Sequence, residues 1–116
     1  METSTTSVTP RWTLRGAVSG DPPITFRMLP GHPRTMGRAT RADFIVDAPL
    51  VSRCHCRLQL TADGRLEVED LGSTNGTFVN GRRVERASLA PGDTLRIGRA
   101  ELTVERAVPL PEATEP

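Results

Sequence analysis

Apolar and polar residues alternate over short runs along most of the chain, and the alternation has a period of two. Leu58 and Leu60 point one way while Arg57 and Gln59 point the other, and Leu66 and Val68 stand in the same relation to Glu67 and Glu69. No helix-length stretch shows a three-to-four-residue apolar recurrence free of Gly or Pro. The pattern predicts strands at Trp12 to Val18, Ile24 to Leu29, Phe44 to Val46, Cys56 to Leu60, Leu66 to Asp70, Thr77 to Val79, Thr94 to Ile97 and Glu101 to Arg106. Between them, Ala62-Asp63-Gly64 and Val79-Asn80-Gly81-Arg82 are hairpin signals, and Ala90-Pro91-Gly92-Asp93 is a Pro-Gly turn. Many short strands with no helix to carry parallel crossovers predict an all-β fold, an antiparallel β-sandwich.

Residues 1–10 are Thr/Ser-rich and residues 107–116 are Pro-rich, and neither stretch offers anything to bury, so both read as flexible tails around a single folded domain at 11–106. The 116 residues suffice for one domain. Hydrophobic residues at 36%, charged residues at 25% and a formal net charge of +1 describe a globular chain with no apolar run long enough to cross a membrane. The polar start has no basic-then-apolar leader, which makes a cytoplasmic setting the expectation. All 15 basic residues are arginine, so lysine-dependent phosphate loops and Schiff-base chemistry are excluded. These arginines are interleaved with 14 acidic residues, and the aromatics are only Trp12, Phe26, Phe44 and Phe78, which argues against a nucleic-acid partner.

Three polar clusters sit where strands end and do not serve the core: Gly37-Arg38, Ser52-Arg53-Cys54-His55, and Ser73-Thr74-Asn75-Gly76-Thr77. In this order, with Asp70-Leu71-Gly72 leading into the third, Val79-Asn80-Gly81 after it, and Gly92-Asp93-x-Leu95-x-Ile97-Gly98 closing the set, they resemble the forkhead-associated (FHA) domain. The resemblance covers about residues 12–105 and shows no departure at the phosphate-binding positions. It implies a sandwich of two sheets and about eleven strands, with recognition loops at one end that bind phosphothreonine peptides. It also implies that Arg38, Ser52, Arg53, Thr74 and Asn75 line the peptide site, with Gly37, His55 and Gly76 supporting it.

Elementary chemistry agrees with that assignment. A phosphate monoester carries nearly two negative charges and three acceptor oxygens, so its receptor needs donors and positive charge. Arg38 and the Ser52 hydroxyl supply both, and Asn75 carries a carbonyl and an NH2 with which to hold an extended main chain. Gly37 and Gly76 read as turn glycines at positive φ. The resemblance makes His55 a brace between loops through its one donor and one acceptor, while His32 reads as an ordinary turn residue.

Cys54, His55 and Cys56 invite a metal or thiol reading. Along a strand, Cys54 and Cys56 would face one side and His55 the other, so the three cannot converge on one ion, and no metal or cofactor is expected. A disulfide between Cys54 and Cys56 would span about 6.6 Å along one strand and be strained. A Ser52–His55–Asp70 hydrolase is disfavoured, because the Gly72-Ser73-Thr74-Asn75-Gly76 run misplaces its serine relative to a nucleophile elbow.

The expected function is therefore a non-enzymatic, phosphothreonine-dependent interaction module in Ser/Thr kinase signalling. Its partner would be a threonine-phosphorylated kinase or substrate, with neither a nucleic acid nor a membrane involved. The alternative is an assembly module that binds without phosphate. Leu50 and Val51 suggest an apolar contact beside the phosphothreonine and Arg82 an acidic one. Thr3, Ser4, Thr5, Thr6, Ser7 and Thr9 are candidate phosphoacceptors. Five residues separate Thr6 from Trp12 and span roughly 18 Å, too little to reach loops at the far end of the domain. A phosphorylated tail would act in trans, and the chain would otherwise be a monomer.

Overall fold

The computed structural model describes residues 11–18, 23–28 and 31–107. Among them there is no helix and there are eleven strands: β1 (Arg11–Val18), β2 (Ile24–Met28), β3 (Arg34–Gly37), β4 (Phe44–Ile45), β5 (Cys56–Leu60), β6 (Leu66–Asp70), β7 (Thr77–Val79), β8 (Arg82–Val84), β9 (Arg86–Leu89), β10 (Thr94–Ile97) and β11 (Ala100–Ala107). One sheet has the order β2-β1-β11-β10-β7-β8 and the other the order β4-β3-β5-β6-β9. All pairings are antiparallel except β3 with β4, where Met36 and Gly37 run parallel to Phe44 and Ile45. The predicted tails at 1–10 and 108–116 lie outside the described residues, as does Leu29; Ala107 itself belongs to β11.

Three strands, β3, β8 and β9, fall outside the predicted runs. β8 holds two arginines and β9 one, with Glu85 between them, and both strands form outer edges of their sheets, where one side of the strand meets solvent and charge is tolerated. β3 is interior but only four residues long, too short for a period to register.

The alternating residues meet between the sheets. Leu14, Leu95, Ile97, Leu102 and Val104 come from one sheet and Met36, Cys56, Leu58, Leu66 and Val68 from the other, all fully buried. The stacked rings of Phe26 and Phe44, with centroids 4.8 Å apart, close the seam between edge strands β2 and β4. Trp12 is buried and donates its indole N–H to the Gly64 carbonyl in the β5–β6 turn at 3.0 Å. Its register partner is Arg106, at the end of β11 remote from Ala100. The two poles of the sandwich are therefore separated by the length of β11, about 23 Å for eight residues. The connections after β3, β4, β6 and β10 gather at the Ala100 pole, and the Arg11–Ala107 pair sits at the other.

Candidate functional site

The loop after β3 and the segment before β5 are bound backbone to backbone. Arg38 N–H donates to the Ser52 carbonyl (2.9 Å) and Ala39 N–H to the Arg53 carbonyl (3.1 Å). This approach leaves no space at Gly37, where a Cβ would lie 2.1 Å from the Arg53 carbonyl oxygen. Gly37 is thus required for close packing, and it is not among the glycines at positive φ, which corrects the turn role read from sequence. Gly76 does have positive φ, at 93°.

His55 is fully buried and ties three segments together. Its backbone N–H donates to the Met36 carbonyl (2.9 Å), and its carbonyl accepts from Leu71 N–H (3.0 Å). Ring Nδ1 accepts from Ser52 N–H at 3.0 Å, so the ring proton resides on Nε2, which donates to the Gly76 carbonyl at 2.8 Å. The histidine therefore holds Ser52 on one side and the 71–76 loop on the other.

That loop is organised by Asp70, which the sequence offers at the head of the Asp70-Leu71-Gly72 motif and as the third member of a disfavoured hydrolase, with no bracing role assigned to it. Its carboxylate accepts from Gly72 N–H (3.1 Å), Ser73 N–H (3.1 Å), the Ser73 hydroxyl (2.5 Å) and the Thr77 hydroxyl (2.7 Å). Partial burial works to raise its pKa, but these hydrogen bonds outweigh it and hold the carboxyl below its ordinary value. Ser73 Oγ in turn accepts from Gly76 N–H at 2.9 Å. The signal was present in the sequence as an acid two to three residues before a small polar loop, the pattern by which Asp caps its own downstream amides.

With both loops fixed, an open cavity of about 520 Å³ forms between them, walled by Arg38, Ser52, Thr74 and Asn75 together with Asp47 and the 48–51 segment. Ser52 Oγ accepts from Thr74 N–H at 3.0 Å, which leaves the hydroxyl proton free to donate. Arg38 donates its Nε to the Val51 carbonyl (3.0 Å), an anchor that leaves the terminal NH2 groups of the guanidinium to face a ligand. Asn75 donates its NH2 to the Leu50 carbonyl (3.1 Å), so its own carbonyl oxygen is the group available to a peptide N–H. Leu50 is 56% exposed and is held at φ 70°, an unusual conformation for a branched residue. Arg99 N–H bonds the adjacent Pro49 carbonyl at 3.1 Å and adds the β10–β11 turn to this wall.

Arg53 is exposed and does not line the cavity. Of the flanking-selectivity candidates, Leu50 and Val51 are on the cavity wall, whereas Arg82 pairs with Val79 at the end of the β7–β8 hairpin turned away from the site. The neighbouring Arg83 is nearer: its Nε would lie 2.9 Å from a Cβ on Gly76. The cysteines also depart from the strand reading. Cys54 lies in a turn and is exposed, because β5 begins only at Cys56, and both His55 and Cys56 are buried. Both thiols are free, and burial, reinforced by the charge of Asp70, pushes Cys56 up to about 12.

The FHA domain family model matches residues 34–98, which include every element of this site except the turn residue Arg99. The chain belongs to the FHA domain family. This FHA domain is 43% identical over 79 residues to the ABC transporter ATP-binding/permease protein Rv1747 of Mycobacterium tuberculosis, covering 68% of this chain and 9% of that protein. It is 42% identical over 77 residues to the glycogen accumulation regulator GarA of Mycolicibacterium smegmatis, covering 66% of this chain and 48% of that one. The chain thus spans less than half the length of either curated relative. A domain solved in a structural and functional study of phosphothreonine-dependent FHA domain interactions superposes with a TM-score of 0.75 at 32% identity, covering 86% of this chain and 99% of that one.

Proposed function

We propose that this FHA domain binds a threonine-phosphorylated segment of a kinase or kinase substrate, without catalysing a reaction on it. The observation that carries the reading is the convergence of Arg38, Ser52, Thr74 and Asn75 on one open cavity, each with a group left over after its internal bonds are made. The Ser52 hydroxyl and the free end of the Arg38 guanidinium take the phosphate, and the Asn75 carbonyl takes a main-chain N–H of the bound segment. Arg53, exposed and next to Ser52 in the chain, adds positive charge that draws the anion in.

Non-enzymatic action is supported by how Ser52 and His55 meet. The ring accepts from the serine's amide, while the serine's hydroxyl bonds Thr74 N–H, so the imidazole does not serve that hydroxyl as a base. Asp70 spends its hydrogen bonds on its own loop.

The candidate phosphoacceptors Thr3 to Thr9 lie outside the described residues. Arg11, from which they extend, is at the pole opposite the cavity, which supports action of a phosphorylated tail on a second copy of the chain.

The test is fluorescence anisotropy with a labelled phosphothreonine peptide and its unphosphorylated twin. Saturable binding of the first and at least a tenfold weaker response to the second is expected. Equal binding of both would replace this reading with a phosphate-independent interaction module.

A further inference from the structure

A second depression, of about 560 Å³, lies on the other side of the 71–76 loop. Its walls include Glu69, Asp70 and Gly72 from β6 and the loop, and Arg83, Glu85 and Arg86 from the crossover between β8 and β9. The loop is therefore a partition, with Thr74 and Asn75 lining the phosphate cavity and Gly72 lining this cleft. Arg83 bridges the two at the foot of the partition, because its guanidinium lies against Gly76, where the absence of a side chain leaves it room.

Among the described residues, the charged groups of this cleft form no ion pair with one another. The Asp70 carboxylate is occupied by four hydrogen bonds within the loop, and Glu69 is paired with Arg57. Among the described residues no carboxylate lies within ion-pair distance of Arg83 or Arg86, so the two guanidinium groups face the ionised Asp70 and the exposed Glu85 without a direct partner, and Arg83 is left open to a carboxylate from a ligand. Close by, the Arg96 guanidinium, whose register partner on β11 is Glu101, covers Phe78 at 4.3 Å, and the Phe78 ring edge also abuts Gly76.

We propose that Arg83 is a second recognition element, taking an acidic side chain of the same segment whose phosphothreonine occupies the Arg38–Ser52 cavity. The inference rests on the phosphothreonine reading and adds the class of sequence that the site prefers. Reach is sufficient. Thr74, which borders the phosphate cavity, is two residues from Gly76, at most about 7 Å along the chain, and an extended ligand covers that in two to three residues. The contact is solvent-exposed, so its effect is modest and salt-sensitive.

The experiment is an anisotropy series in which one Glu is moved through the three positions on each side of phosphothreonine in an otherwise alanine-flanked peptide. For the wild-type domain, Glu at one position tightens binding about threefold over alanine. In R83Q, which keeps the side-chain stem and removes the charge, the ratio of the two affinities returns to one; in R83E, Lys at that position becomes preferred to Glu. If no position favours Glu, or if the Glu preference survives in R83Q, the proposal is wrong and the phosphothreonine reading stands. If neither the alanine-flanked nor any Glu-containing phosphopeptide binds, both are wrong.

Discussion

Ser52 and His55 are joined through the serine's backbone N–H, which donates to His55 Nδ1 at 3.0 Å, and not through its hydroxyl. The ring is thereby committed to a structural task, since its other nitrogen is bound to the Gly76 carbonyl 21 residues further along. Removing the ring leaves the partly buried Ser52 amide and the buried Gly76 carbonyl without these partners. His55→Ala should cost about 2 kcal/mol or more of stability and weaken phosphopeptide binding as well. Thermal denaturation checks it. A variant that melts like the wild type but no longer binds would make His55 a ligand contact.

Asp70 predicts a pH dependence of stability. Its folded-state pKa is depressed by hydrogen bonds that outweigh burial, so the unfolded chain binds its proton more readily than the folded one. The stabilisation is fully present above the unfolded carboxyl value near 4 and is lost as pH falls through the lower folded value. Asp70→Asn keeps one acceptor oxygen and loses the charge; it should lower stability at neutral pH by about 1 to 2 kcal/mol and flatten the acid limb. Urea denaturation of both proteins from pH 7 to pH 3 makes the comparison. Parallel curves would show that the loop does not depend on the ionised carboxylate.

The two thiols should behave differently. Cys54 is exposed in its turn, whereas Cys56 is buried with its pKa pushed up to about 12, where almost no thiolate forms at neutral pH. A colorimetric thiol reagent should label one cysteine per folded chain quickly and the second only on denaturation. Cys54→Ser should abolish the fast phase; prompt labelling of two thiols would contradict the packing around β5.

Gly37 makes a sharper test of the loop geometry. Because a Cβ there would meet the Arg53 carbonyl at 2.1 Å, Gly37→Ala must push the 52–53 segment away from β3. Stability should fall by more than about 1 kcal/mol and phosphopeptide affinity with it. Wild-type melting and affinity in this variant would mean that the two loops are less tightly joined than the backbone bonds imply.

Alternation made the central strands legible: the bounds of β5, β6, β7 and β10 coincide with the runs Cys56–Leu60, Leu66–Asp70, Thr77–Val79 and Thr94–Ile97. The edge strands β8 and β9 were not, because Arg82–Val84 is three residues with mostly exposed positions, and Arg86–Leu89, although it turns Ala87 and Leu89 toward the core, is only four residues long. The ordered motifs grouped Arg38, Ser52, Thr74 and Asn75, which the fold arranges around one cavity. They also grouped Arg53, which shares their sequence neighbourhood but not that wall. Arg83 was illegible, since nothing in the sequence says that a strand edge will fold back across Gly76. Leu50 was visible as an apolar loop residue, but its positive φ arises from tertiary bonds to Asn75 and the β10–β11 turn.

The central claim is that the Ser52 hydroxyl donates to a phosphate. Calorimetric titration of a phosphothreonine peptide into the wild-type domain and into Ser52→Ala, at pH 7.5 and with folding verified by melting, tests it most directly. Loss of a charge-assisted hydrogen bond should weaken binding by about 1.5 kcal/mol or more, roughly tenfold, while the melting temperature changes little. Unchanged affinity in a folded Ser52→Ala domain would contradict the account.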